Sequence, residues 1–89
     1  MVWTVEVSDI AEAQLLRMGK AVRQRVLDYL FERIEGCKNP RHFGEALKAN
    51  HAGLWRYRVG DYRVICEIQD ERLLVLALSI DHRRDVYRS

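Results

Sequence analysis

The amino-acid sequence predicts an α+β fold in which a helical hairpin covers one face of a largely antiparallel sheet. Three observations predict it. Val2-Trp-Thr-Val-Glu-Val7 alternates as a half-buried strand does, with Trp3, Val5 and Val7 on one face. Two helix-period segments follow, split at Gly19. From Leu54 onward, three β-rich runs are separated only by the short turn signals Gly60-Asp61 and Asp70-Glu71.

Each element has its own signal. Ser8 or Asp9 can cap the first helix, which carries Ile10, Ala13, Leu16 and Met18 as an expected apolar stripe and ends at Gly19. The second, longer helix starts near Lys20. Val22, Val26, Leu27, Leu30, Phe31 and Ile34 recur at helical spacing, and Gly36 closes it. Two helices joined at one glycine make an αα-hairpin. Cys37 to His51 reads as a loop that holds Pro40, with a brief helical turn expected over Phe43–Leu47. The three strands are expected over Leu54–Val59, Tyr62–Gln69 and Arg72–Ile80. Trp55, Tyr57, Val59, Tyr62, Val64, Cys66 and Ile68 should face the helices. The last strand is apolar on both faces and should be central in the sheet.

The chain of 89 residues is the size of one domain, 1–89, with no repeat or linker to divide it. Hydrophobic residues make up 48% and charged residues 31%, which suits a packed core under a polar surface. The net charge of +2 excludes binding through a general cationic field, so any nucleic-acid contact must come from clustered charge. Cys37 and Cys66 match no metal or redox spacing, and Cys66 alternates with Val64 and Ile68 as a buried thiol does. Glu6, Asp9 and Glu12 interrupt any signal-peptide core. The longest apolar run, Leu73 to Leu78, is far too short to span a bilayer. A cytoplasmic, reducing location with no membrane contact is expected.

The candidate site lies in the hairpin. If Gly60 and Asp61 form the loop, Val59 pairs with Tyr62 and Arg58 with Arg63, while Arg56 shares their face. Like charges directly opposite each other destabilise a sheet, and a cluster of them is better tolerated where it meets an anion. Phosphate suits a planar, always-charged, fork-shaped donor. Leu74, Leu76, Leu78 and Ile80 should floor this face, and alternation past Ile80 should bring His82 to it. His82 has the only side chain in these motifs whose ordinary pKa lies near neutrality. The plainer readings are a solvated sheet face for the arginines and a surface position for His82. Arg17, Lys20, Arg23 and Arg25 are read as the exposed face of the helical hairpin, with contact to RNA backbone as the alternative.

Leu54-Trp-Arg-Tyr-Arg-Val-Gly-Asp-Tyr-Arg-Val-Ile65, followed by a strand and His82-Arg-Arg-Asp-Val-Tyr-Arg88, resembles the RelE/ParE superfamily of toxin–antitoxin toxins, the RelE branch in particular. The order strand–helix–helix–three strands fits that family across nearly the whole chain. The resemblance implies a metal-independent, cofactor-free endoribonuclease that cuts mRNA in the ribosomal A site. There the 2′-hydroxyl attacks the adjacent phosphate, leaving a 2′,3′-cyclic phosphate and a 5′-hydroxyl. It also implies a cognate antitoxin, with operator DNA met only through that complex. Carried onto this chain, the basic site positions fall on Arg56, Arg58, Arg63 and Arg83, with Arg84 beside them, the near-terminal tyrosine on Tyr87, and a histidine at His82. Parts of the family place lysines where this chain has Arg56 and Arg58. Arginine cannot give up its proton in a protein, so proton transfer is expected to fall to His82 or Tyr87. The rivals are a ParE-like gyrase inhibitor on the same scaffold and an inactive binding module.

Overall fold

The computed structural model describes residues 2–47 and 53–82. Strand β1 (Thr4–Val7) leads into helix α1 (Asp9–Arg17) and helix α2 (Lys20–Asp28). Strands β2 (Glu45–Ala46), β3 (Leu54–Val59), β4 (Tyr62–Gln69) and β5 (Leu74–His82) complete one sheet of order β1-β5-β4-β3-β2. The β3-β4-β5 meander is antiparallel as expected, and β1 joins it in parallel along β5. β5 is an interior strand, although the middle place belongs to β4.

The core lies between the sheet and the helices. Val5, Val26, Leu30, Ile34, Tyr57, Val64, Cys66 and Val75 meet there, with Trp3 closing it beyond the start of β1. Burial pushes the Cys66 thiol up to about 12, so it is an inert core group. Cys37 and Cys66 are both free.

The expected stripe on α1 is rotated. Ala11 and Leu15 are buried, whereas Ile10 and Leu16 are 66% and 67% exposed. Over nine residues the apolar spacing fits either phase, and polar tethers decide between them. The Ser8 hydroxyl caps Ala11 N–H at 3.1 Å and donates to the Leu78 carbonyl at 2.9 Å. Gln14 Oε1 accepts from Ile80 N–H at 2.6 Å. These bonds roll the Ser8, Ala11, Gln14 side of α1 onto β5. They also satisfy β5 backbone groups beyond Ala77, where the pairing with β1 stops.

The second helix keeps its expected core residues but widens. Past Asp28 it continues as a π-helical turn, Tyr29–Ile34, closed by Glu35 N–H donating to Leu30 C=O at 2.9 Å. Leu30 and Ile34 remain fully buried, while Phe31 is 41% exposed.

Phe43–Leu47 is extended, not helical. Trp55 Nε1 donates to the Phe43 carbonyl at 2.6 Å, Glu45 and Ala46 pair with Arg56 and Trp55, and Leu47 N–H reaches Leu54 C=O at 3.1 Å. These long-range partners outweigh a weak local helical pattern. The β4–β5 turn is also longer than expected. Asp70–Arg72 forms a 3₁₀ turn and Leu73 takes φ 49°, so β5 starts at Leu74. Arg41 anchors this turn through both carboxylate oxygens of Asp70 at 2.8 Å, and its guanidinium holds that carboxyl below its ordinary pKa.

Candidate phosphate-binding site

Gly60 takes φ +60° and Asp61 does not, as in a type II′ hairpin turn, whose twist matches that of the strands. The register follows directly: Val59 opposes Tyr62, Arg58 opposes Arg63 and Arg56 opposes Ile65. Partners across an antiparallel ladder project on the same side, so Arg56, Arg58 and Arg63 share the sheet face away from the helices. Arg58 is exposed, and Arg56 and Arg63 are half-buried.

The position of His82 is corrected by a bulge. Ile65 pairs with Ser79 but the next residue, Cys66, pairs with Ala77, so Leu78 is an extra residue on β5. One extra residue reverses the alternation from that point on. Leu74 and Leu76 therefore sit on the arginine face, but Ile80 turns into the core at 4% exposure. His82 pairs with Tyr62, on the helix side, and meets that ring edge-on at 4.8 Å. Asp81 is the residue opposite Arg63. The expected sites Arg83, Arg84 and Tyr87 lie outside the described residues.

Two rows of side chains thus cross the face. One runs Arg58, Arg63, Asp81 and the other Glu45, Arg56, Ile65, Ser79. Glu45 holds Arg56 Nη2 at 3.0 Å. Arg63 Nε is buried and has no hydrogen-bond partner. An orphaned guanidinium N–H beside a second guanidinium is a strong call for an anion. Arg25 adds to the same end of the hairpin: a Cβ built on Gly60 would lie 3.0 Å from its guanidinium. Neither Glu45 nor Arg25 carries a local sequence signal for this placement, because both arrive through tertiary packing.

Gly44 fixes the edge of the face. Its φ is +70°, and any Cβ there would collide with the Arg56 carbonyl oxygen. Gly44→Ala is expected to lower stability by about 2 kcal/mol or more, from the left-handed backbone and the collision together. Hydrogen exchange should then show Leu47 N–H losing protection before the β3–β4 ladder does.

Two concavities lie on the helix side. A cleft of about 610 Å3 is lined by Arg25, Asp28, Tyr29, Glu32, Arg33 and Phe43, with Arg33 stacked 5.4 Å over the Tyr29 ring. Its charges balance, so it does not extend the cationic face. A groove of about 360 Å3 between α1 and α2 is lined by Leu15, Leu16, Leu27 and Phe31. Among the described residues, no helix is long and apolar enough to cross a membrane.

Comparison with known proteins finds similarity in both sequence and fold. Residues 5–87 match the family model described as ParE toxin of type II toxin–antitoxin system, parDE. The chain is 31% identical over 88 residues to Toxin RelG of Mycobacterium tuberculosis, covering 99% of each. Its structure resembles the toxin–antitoxin complex RelBE2 from M. tuberculosis, with TM-score 0.84, 28% identity and 93% of each chain covered. It also resembles an archaeal RelE–RelB complex from Pyrococcus horikoshii, with TM-score 0.68, 26% identity and 93% and 97% covered. A free-state mutant of Escherichia coli toxin RelE shares the fold at TM-score 0.75 and 20% identity, with 98% and 92% covered.

Proposed function

The chain belongs to the RelE/ParE superfamily of toxins of type II toxin–antitoxin systems, and from that membership we propose that it is a ribosome-dependent mRNA endoribonuclease. The observation that carries this reading is the Arg58–Arg63 pair, with Arg56 beside it, on the open face of the sheet. In-line attack of a 2′-hydroxyl on the neighbouring phosphorus builds negative charge on the non-bridging oxygens. Preorganised cations aimed at those oxygens lower the barrier most. Arg63 takes that role, and Arg56 and Arg58 grip flanking phosphates. The family resemblance assigns Arg83, Arg84 and Tyr87 to the same chemistry, Tyr87 to move a proton or to stack on a splayed base. His82 sits against Tyr62 and is given no part in proton transfer under this reading.

A second reading, a ParE-like inhibitor of DNA gyrase, is favoured by the description of the matching family model. Mapped transcript ends after induction separate the two. Codon-phased cuts that require 70S ribosomes in a matched reaction are the expected result. Intact mRNA with loss of supercoiling would move the chain to the second reading.

A cognate antitoxin is the proposed partner, since related chains were solved as toxin–antitoxin complexes. The groove between α1 and α2 offers an apolar seat, with Leu16 and Phe31 exposed and Glu12 and Arg23 on its rim. It suits the apolar face of an amphipathic segment. A cytoplasmic location follows from a ribosomal target.

A further inference from the structure

We propose that Asp81 is a catalytic residue of the cleavage site, the carboxylate that takes the proton from the attacking 2′-hydroxyl. The inference rests on the endoribonuclease reading above and adds a group to it.

The cationic face lacks a base among its cations. Arg56, Arg58 and Arg63 stay protonated in any protein environment, so they can hold a phosphate but cannot accept a proton from the nucleophile. The imidazole expected to do so lies on the other side of the sheet, edge-on to Tyr62. The bulge that sends His82 there delivers Asp81 in its place. Asp81 stands in the same row as Arg58 and Arg63, as the direct cross-strand partner of Arg63. Partners in such a ladder lie about 5 Å apart, and Arg63 and Asp81 can therefore flank one phosphodiester with its adjacent ribose.

The other acidic groups on this face are engaged or distant. Glu45 is paired with Arg56, Glu67 accepts from Gln69 Nε2 at 2.6 Å, two rows further along β4, and Glu6 lies on the far edge strand β1, opposite Leu76. Among the described residues, Asp81 forms no ion pair within 4.0 Å, although Arg63 is its neighbour. Arg63 likewise keeps a buried Nε without a partner. The two groups face the same space without neutralising each other, which leaves one free to receive a proton and the other to receive negative charge.

The step balances. The Asp81 carboxylate removes the 2′-hydroxyl proton as the 2′-oxygen bonds to phosphorus. The bond from phosphorus to the 5′-oxygen breaks, and that oxygen takes a proton from water. The products are a 2′,3′-cyclic phosphate and a 5′-hydroxyl, and protonated Asp81 returns its proton to solvent.

Single-turnover cleavage of a defined mRNA in the A site of 70S ribosomes tests this with the full chain, compared as wild type, Asp81→Asn and Asp81→Glu. Loss of a general base is worth about 10²–10⁴-fold. Asp81→Asn should lose rate in that range at saturating protein. It should bind programmed ribosomes as tightly as wild type or tighter, since one negative charge has left a cationic face. Asp81→Glu should recover part of the rate. Cleavage by Asp81→Asn within about threefold of wild type overturns the proposal, and so does an Asp81→Glu variant no faster than Asp81→Asn. A wild-type chain that arrests growth but leaves mRNA uncut removes the ribonuclease reading, and this inference falls with it.

Discussion

Arg63→Ala is expected to become a slower enzyme and an equally stable or slightly more stable protein. Arg63 faces Arg58 directly across the β3–β4 ladder. A directly opposed like-charge pair costs a sheet about 0.2–1 kcal/mol, and replacing one partner with alanine returns that amount. The side chain leaves the sheet on the face away from the core, and its removal also takes away the buried Nε that has no hydrogen-bond partner. The effect on cleavage runs the other way. Removing one preorganised donor to developing charge costs about 10²–10³-fold in rate. Arg63→Lys should recover only part of this, since an ammonium keeps the charge but not the fork. Arg58→Ala should weaken ribosome binding and lower its salt dependence by about one unit of slope, as loss of a flanking phosphate contact does. Thermal melts and single-turnover cleavage on the same preparations measure both. A face that only meets water would show neither the rate loss nor the opposite signs.

How far the site could be read from sequence depends on which of its constraints are local. The hairpin is local. Gly60 and Asp61 set the turn, the turn sets the register, and the register puts Arg58 against Arg63 without further information. The burial of Tyr57, Val64 and Cys66 follows from the same alternation. What lay beyond the sequence is phase set from a distance. The extra residue at Leu78 reverses the faces of β5, and nothing in Leu74-Val-Leu-Ala-Leu-Ser-Ile80 announces it, since the run is apolar in both phases. That one step exchanges His82 for Asp81 beside Arg63. The roll of α1 is a similar case. Two apolar phases fit nine residues, and the Ser8 and Gln14 bonds to β5 select the one with Ile10 outside. The β2 edge depends on Trp55 and Leu54, which are distant from Glu45 in the sequence, and on the tolerance of the adjacent Gly44 for φ +70°.

The largest loss of stability is expected at Tyr57, which joins the core to the cationic face. It is the largest fully buried side chain, and it lies on β3 between Arg56 and Arg58. Its ring meets Tyr29 at 5.8 Å, and its hydroxyl donates to the Pro40 carbonyl at 2.8 Å. Tyr57→Ala removes an aromatic from a closed core, which costs about 3–5 kcal/mol. For a domain of this size each kcal/mol lowers Tm by about 4–8 °C, so the midpoint should fall by about 12 °C or more. Tyr57→Phe isolates the hydroxyl. It leaves the ring in place and the Pro40 carbonyl without its donor, at about 1–3 kcal/mol. The same pair of variants has an alkaline signature. Burial raises the Tyr57 hydroxyl well above its ordinary 10.0 in the folded chain. A raised folded pKa stabilises fully below the unfolded value and loses that contribution as pH climbs from there towards the folded one. Wild-type stability should therefore fall as pH rises above about 10, and Tyr57→Phe should lose much of that alkaline slope. Urea midpoints taken across the alkaline range measure it. Equal slopes in the two proteins would show that the hydroxyl reaches water and that the Pro40 turn is not closed over it.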